Sequence, residues 1–239
     1  RRKAHVALET ESSSRGRTLA RTNKFKVELQ DGRTLVENAE MTISYGDRIV
    51  LTGRNGAGKT MFVKALLGES TSLRSEGESY LAPDSKVVYL SQKYEIVDPD
   101  LSLVENMQKT NRDLSYEQIR KLLGNFLFFN QEDINKKASV LSGGEVARLA
   151  FAMITAGPVD LLVLDEPTNN LDIDTVDSIV NALEDFPGAI ITISHNIDFL
   201  SRIGVEQAYV INDRKLKRLG TIPENEEEFY DELMSELES

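Results

Sequence analysis

The chain has 239 residues, 40% of them hydrophobic and 28% charged, enough for one large α/β domain or two small ones. It has no cysteine, which excludes disulfides and thiolate metal sites, and no apolar run approaches the roughly 20 residues that span a bilayer. No signal peptide is visible, and the chain begins Arg1-Arg2-Lys3 rather than with Met, which predicts a piece of a longer cytoplasmic protein with no membrane segment of its own.

The net charge of -11 is unevenly spread. Residues 1–26 carry eight Lys or Arg against two acidic side chains, whereas eight acidic residues and no Lys or Arg follow Gly220. This predicts the end of a basic linker over residues 1–24 and a solvated acidic tail over 221–239. The acidic body argues against a general nucleic-acid coat.

In chain order, Ser12-Ser13-Ser14-Arg15-Gly16-Arg17 reads as loop. Alternation from Phe25 to Leu29 predicts a strand, Asp31-Gly32 a turn, and Leu35–Ile43 a second strand. Arg48-Ile49-Val50-Leu51 leads into a glycine-rich loop, with a helix from Gly58 to about Leu67. Val87-Val88-Tyr89-Leu90 reads as a short buried strand. Residues 93–140 change character, and Ser115-Tyr116-Glu117-Gln118 has the form of a capping box, so a small helical insert is expected there. Ser142-Gly143-Gly144-Glu145 repeats that form ahead of a helix to about Ile154. Leu161–Leu164 and Ile190–Ile193 are continuous apolar runs, as strands covered on both faces should be. A helix from about Asp174 to Leu183 separates them. The alternation predicts an α/β fold with a mainly parallel core sheet between helices.

Gly53-Arg54-Asn55-Gly56-Ala57-Gly58-Lys59-Thr60 fits the P-loop pattern in full and sits where it must, after a strand and opening a helix. Glycines let the backbone turn its N–H groups toward phosphate oxygens, and the helix presents its positive end to the same anion. Lys59 should reach the β- and γ-phosphates and Thr60 should bind Mg²⁺. In Leu161-Leu162-Val163-Leu164-Asp165-Glu166 an apolar strand ends in two carboxylates. Asp165 is placed to hold Mg²⁺ through water, and Glu166 to deprotonate the attacking water.

The chain resembles the ATP-binding cassette (ABC) family at this point. Leu141-Ser142-Gly143-Gly144-Glu145 resembles its signature motif, 20 residues before Leu161. Gln92 resembles the Q-loop, Asp172 falls at the D-loop, and Ser194-His195 resembles the H-switch. The resemblance covers about residues 25–220. It implies a P-loop nucleotide-binding domain that binds ATP and Mg²⁺, with an antiparallel β subdomain and a helical insert at about 93–140. By resemblance, Gln92 joins the Mg²⁺ site and His195 contacts the γ-phosphate. Ser142, Gly143 and Gly144 cap the nucleotide of a second cassette, so that the ATPase site is composite.

Asp165-Glu166-Pro167-Thr168-Asn169-Asn170-Leu171-Asp172 is similar to the extended motif of the F subfamily, which usually has His in place of Asn170. Phe126 through Lys137 and Ala182 through Gly188 resemble the second cassette of such proteins. This implies the C-terminal half of a two-cassette protein acting on the ribosome, in translation or antibiotic resistance. Three positions depart from the pattern: Gln30 replaces the aromatic residue that stacks on adenine, Met61 replaces a hydroxyl residue that contacts the α-phosphate, and Asn196 replaces an Asp. The motor cassette of a membrane transporter is the alternative, and a nucleotide switch without turnover fits the same motifs. A DNA-repair cassette is disfavoured, because only 49 positions separate Gln92 from Leu141 and leave no room for a long coiled coil.

Overall fold

The computed structural model describes residues 16–69, 72–221, 229–231 and 233–235. Its strands are β1 (Thr18–Leu29), β2 (Thr34–Ser44), β3 (Arg48–Thr52), β4 (Leu73–Leu81), β5 (Val87–Leu90), β6 (Leu161–Asp165), β7 (Ala189–Ile193), β8 (Gln207–Asn212) and β9 (Lys215–Thr221). The helices are α1 (Lys59–Leu66), α2 (Leu103–Thr110), α3 (Tyr116–Asn125), α4 (Gln131–Asn135), α5 (Gly143–Ala156), α6 (Ile173–Glu184) and α7 (Ile197–Arg202).

The strands form one sheet in the order β4-β1-β2-β9-β8-β3-β7-β6-β5. From β8 to β5 every pairing is parallel, whereas β4, β1 and β2 pair antiparallel. The continuous apolar runs follow from burial on both faces. Leu161, Val163, Ala189, Ile191 and Ile193 pack on one face with α1 and the antiparallel strands, while Leu162, Leu164 and Ile190 pack on the other against α5 and α6. The register sets the level at which strands end. Asp165 lies opposite Ile193 across β6 and β7, and Val50 opposite Thr192 across β3 and β7. The loops leaving β3, β6 and β7 therefore open into one crevice at the carboxyl edge of the sheet.

The expected capping boxes form. Ser115 and Gln118 cap α3, and Ser142 and Glu145 cap α5. A third, Ser102 with Glu105, opens α2 inside the helical region. No helix among the described residues is long and apolar enough to cross a membrane.

Two stretches differ from the sequence reading. Residues 18–24, expected as the end of a linker, belong to β1, where Ala20 pairs with Ile43 of β2 and with Leu81 of β4. The strand is irregular between Thr22 and Phe25, and Lys24 takes a left-handed φ of 48°, so the alternation falls out of phase there. Gly77 of β4 backs onto this bulge; a Cβ there would lie 2.2 Å from the Lys24 carbonyl oxygen. Near the C-terminus, in the stretch expected as a solvated tail, Phe229 and Leu233 are 3% and 1% exposed within the main core, and the Tyr230 hydroxyl donates to the Val205 carbonyl. Charge density hid these two apolar residues one helical turn apart.

If Phe229 anchors this segment, Phe229→Ala should cost about 3 kcal/mol in unfolding free energy, read by denaturant titration. A solvated tail would give a change within about 0.5 kcal/mol.

Candidate nucleotide and metal site

The loop from Gly53 to Gly58 joins β3 to α1. Gly53 has φ 132°, and a Cβ there would sit 2.4 Å from the Ile211 carbonyl oxygen, so β8 leaves room only for glycine. Gly58 is left-handed and gives α1 no side-chain cap, so the first N–H groups of the helix have no side-chain acceptor. Such a curled loop and uncapped helix start suit an anion.

Lys59 is buried, and its ammonium donates to the carbonyl oxygens of Gly53 at 2.6 Å and Arg54 at 3.2 Å. Burial lowers its pKa, while Glu166 and Asp165 oppose that shift. The Thr60 hydroxyl donates to Asp165 Oδ2 at 2.8 Å. A hydroxyl and a single carboxylate form an all-oxygen donor set that suits Mg²⁺, which keeps several waters and takes further ligands from substrate phosphate. The Tyr89 hydroxyl donates to the same Oδ2 at 2.6 Å. Sequence reasoning passed over Tyr89 as a strand residue. Its signal lies only in pairing, because β5 sets Tyr89 opposite Val163, two residues before Asp165.

Glu166 sits just beyond β6 with φ 52°, its amide donating to the Ile193 carbonyl at 2.8 Å. This left-handed turn carries its carboxylate to 3.6 Å from His195 Nε2. Burial, then the charge of Asp165, raises the Glu166 pKa, with Lys59 opposing. Burial, then the charge of Lys59, lowers that of His195. The imidazole is therefore neutral at neutral pH, and its contact with Glu166 is a polar contact rather than an ion pair.

A cavity of about 450 Å³ runs from these groups outward. Asn55, Gly56, Gly58, Lys59, Thr60 and Met61 line one side, Asp165, Glu166 and Ile193 the base, and Leu29, Arg33 and Leu35 the outer wall. Among the described residues no aromatic ring lines it: Gln30 is exposed outside the lining, and Phe25 is buried edge-on against Phe62. A larger groove, about 820 Å³, opens between β2 and β9 with charges of both signs and holds none of these groups.

The remaining motif residues lie outside this cavity. Gln92 is exposed on the turn after β5 and does not line the cavity. Ser142 and Gly143 are exposed at the start of α5. Gly144 backs onto Asp172, which caps α6 through the amide of Thr175. Asn196 caps α7 by accepting from the amide of Phe199.

Residues 36–169, from the second strand of the antiparallel subdomain through the Asp165-Glu166 pair, match the ABC transporter family. The chain belongs to this family. Membership implies ATP binding and ATPase activity. Curated relatives of the cassette include the probable ATP-binding protein YheS of Haemophilus influenzae, 36% identical over 184 residues, 77% of this chain and 28% of that protein. The ATP-binding protein Uup of Caulobacter vibrioides is 38% identical over 72% of this chain and 28% of its own length. The ABC transporter F family member 2 of Arabidopsis thaliana is 35% identical over 72% of this chain and 25% of its own. The cassette thus groups with the F branch and spans about a quarter of each of these relatives.

The raised pKa of Glu166 has a consequence for stability. Its folded value lies above the ordinary 4.5, so between the two the folded state binds more protons, and stability falls as pH rises through that window. Glu166→Gln should therefore raise the melting temperature at neutral pH. The gain should shrink as pH falls below the ordinary carboxylate value, where both states are protonated. Melting curves across that range decide it; a difference independent of pH would show that the Glu166 charge carries no such cost.

Proposed function

We propose that the cassette hydrolyses ATP in this cavity, with Glu166 as general base, and that a second cassette completes the site. The observation that carries the reading is the convergence of Lys59, Thr60, Asp165, Glu166 and His195 at the aligned ends of β3, β6 and β7. Lys59, now on the carbonyls of its own loop, would exchange them for phosphate oxygens, with the loop from Gly53 to Met61 around the rest of the polyphosphate. Mg²⁺, held by Thr60 and Asp165, would offset the charge that builds on the transferred phosphoryl group. The raised pKa of Glu166 brings it closer to the operating pH, as a base needs. Neutral His195 beside it can hydrogen-bond water or phosphate. Gln92 would reach the metal only after the turn that carries it moves inward.

Ser142, Gly143 and Gly144 lie outside the chain's own cavity, at the start of a 14-residue helix. That placement supports a role in capping ATP bound by a partner. The partner would be another cassette of the same full-length protein, or a second copy of this one.

Glu166→Gln should retain binding of a fluorescent ATP analogue and lower phosphate release at least about a hundredfold. Turnover at the parent rate would remove Glu166 as the base.

We further propose that the full-length protein uses cassette closure on the ribosome, in translation or antibiotic resistance. Membership of the F branch supports this reading. So do Arg214, Lys215, Lys217 and Arg218, which are exposed around the β8–β9 turn of an otherwise acidic body. Of the basic residues near the N-terminus, Arg1–Lys3 and Arg15 lie outside the described residues, Arg17 is paired with Asp160 at 2.7 Å, and Arg21 is exposed on β1. Full-length protein carrying Glu166→Gln should cosediment with ribosomes in ATP but not ADP, and lose that binding as salt rises. Protein that stays off ribosomes at low salt but pellets with membranes would favour a transporter motor instead.

A further inference from the structure

Asp165 Oδ2 accepts two hydroxyl hydrogens, from Thr60 at 2.8 Å and Tyr89 at 2.6 Å. Two donors occupy the acceptor directions of that oxygen. Among the described residues Oδ1 accepts no hydrogen bond. The carboxylate therefore has one tethered oxygen and one available oxygen, and its plane is set by both donors.

The donors come from different elements. Thr60 stands in the first turn of α1, and Tyr89 stands on β5, whose register places it beside Val163 and thus on the same sheet face as Asp165. Lys64, one turn beyond Thr60, lies over the Tyr89 ring at 5.2 Å from its centre. The ring is thereby held between α1 and the sheet, with its hydroxyl aimed at the carboxylate.

We propose that Tyr89 is a positioning residue for Mg²⁺: its hydroxyl fixes the rotation of the Asp165 carboxylate so that Oδ1 meets the hydrated ion. This rests on the reading of the Mg-ATP site above. The reason is geometric. The terminal torsion of an aspartate is broad, and one hydrogen bond from Thr60 leaves it free to rock. Mg²⁺ demands nearly ideal octahedral geometry, so an acceptor that rocks binds its water shell poorly. Thr60 alone is a weak tether, because its oxygen is the atom the ion needs. Tyr89 has no such second duty and can hold Oδ2 throughout.

The test is Tyr89→Phe in the full-length protein, which removes the hydroxyl and keeps the ring under Lys64. The readout is the Mg²⁺ concentration that half-saturates the metal-dependent binding of a fluorescent ATP analogue. It should rise about tenfold or more, the usual effect of losing a hydrogen bond behind a metal ligand. Binding of the analogue in chelator should stay at the parent value. Unchanged or tighter Mg²⁺ dependence would overturn the proposal. So would an equal loss of binding with and without metal, since that marks a general structural role. Asp165→Asn is the companion variant. If it leaves the Mg²⁺ dependence at the parent level, the metal site itself is misread; if it acts while Tyr89→Phe does not, only Tyr89 is wrong.

Discussion

Everything at this site depends on the in-register parallel pairing of β3, β7 and β6. The pairing sets Asp165 opposite Ile193 and Val50 opposite Thr192. A slip of one residue would turn every side chain to the other face and separate Glu166 from His195. The register is protected because both faces are buried, so a slipped strand would have to exchange two packed apolar surfaces at once. The glycine loop then needs no support from the ligand to be aimed correctly. Its first residue is pinned against Ile211 of β8, and its last opens α1.

The second constraint is electrostatic. One lysine and two carboxylates share a half-buried space. Burial works against the charges of Lys59 and Glu166, the lysine favours the charged form of Glu166, and Asp165 disfavours it. His195 is kept neutral by the same surroundings. The arrangement holds a carboxyl of raised pKa and a neutral imidazole side by side without making them an ion pair. Hydroxyl groups from α1 and β5 hold Asp165, so its carboxylate is more closely constrained than that of Glu166.

Much of the site was legible in sequence because its chemistry requires particular residues at short spacing. The glycines, Lys59 and Thr60 are contiguous in the chain, and Asp165-Glu166 closes a run that only a buried strand would carry. The capping boxes at Ser115 and Ser142 were legible for the same local reason. The extent of β1 was not, because its bulge at Lys24 breaks the alternation and its partners lie on β2 and β4. β4 itself is polar and largely exposed, so no apolar period marks it. Phe229 and Leu233 were lost among acids because two apolar residues do not make a pattern until a core receives them.

The sequence by itself determined the glycine-rich loop, the paired carboxylates at the end of a buried strand, and the family to which the chain belongs. Each is a local arrangement of residue types at short spacing. The tertiary structure decided what depends on distance along the chain. It brought Tyr89 onto Asp165 across 76 residues, walled the outer cavity with Leu29, Arg33 and Leu35 rather than a ring, and left Gln92 outside it. Those outcomes rest on strand register and on which faces meet, and neither is written in any short stretch of residues.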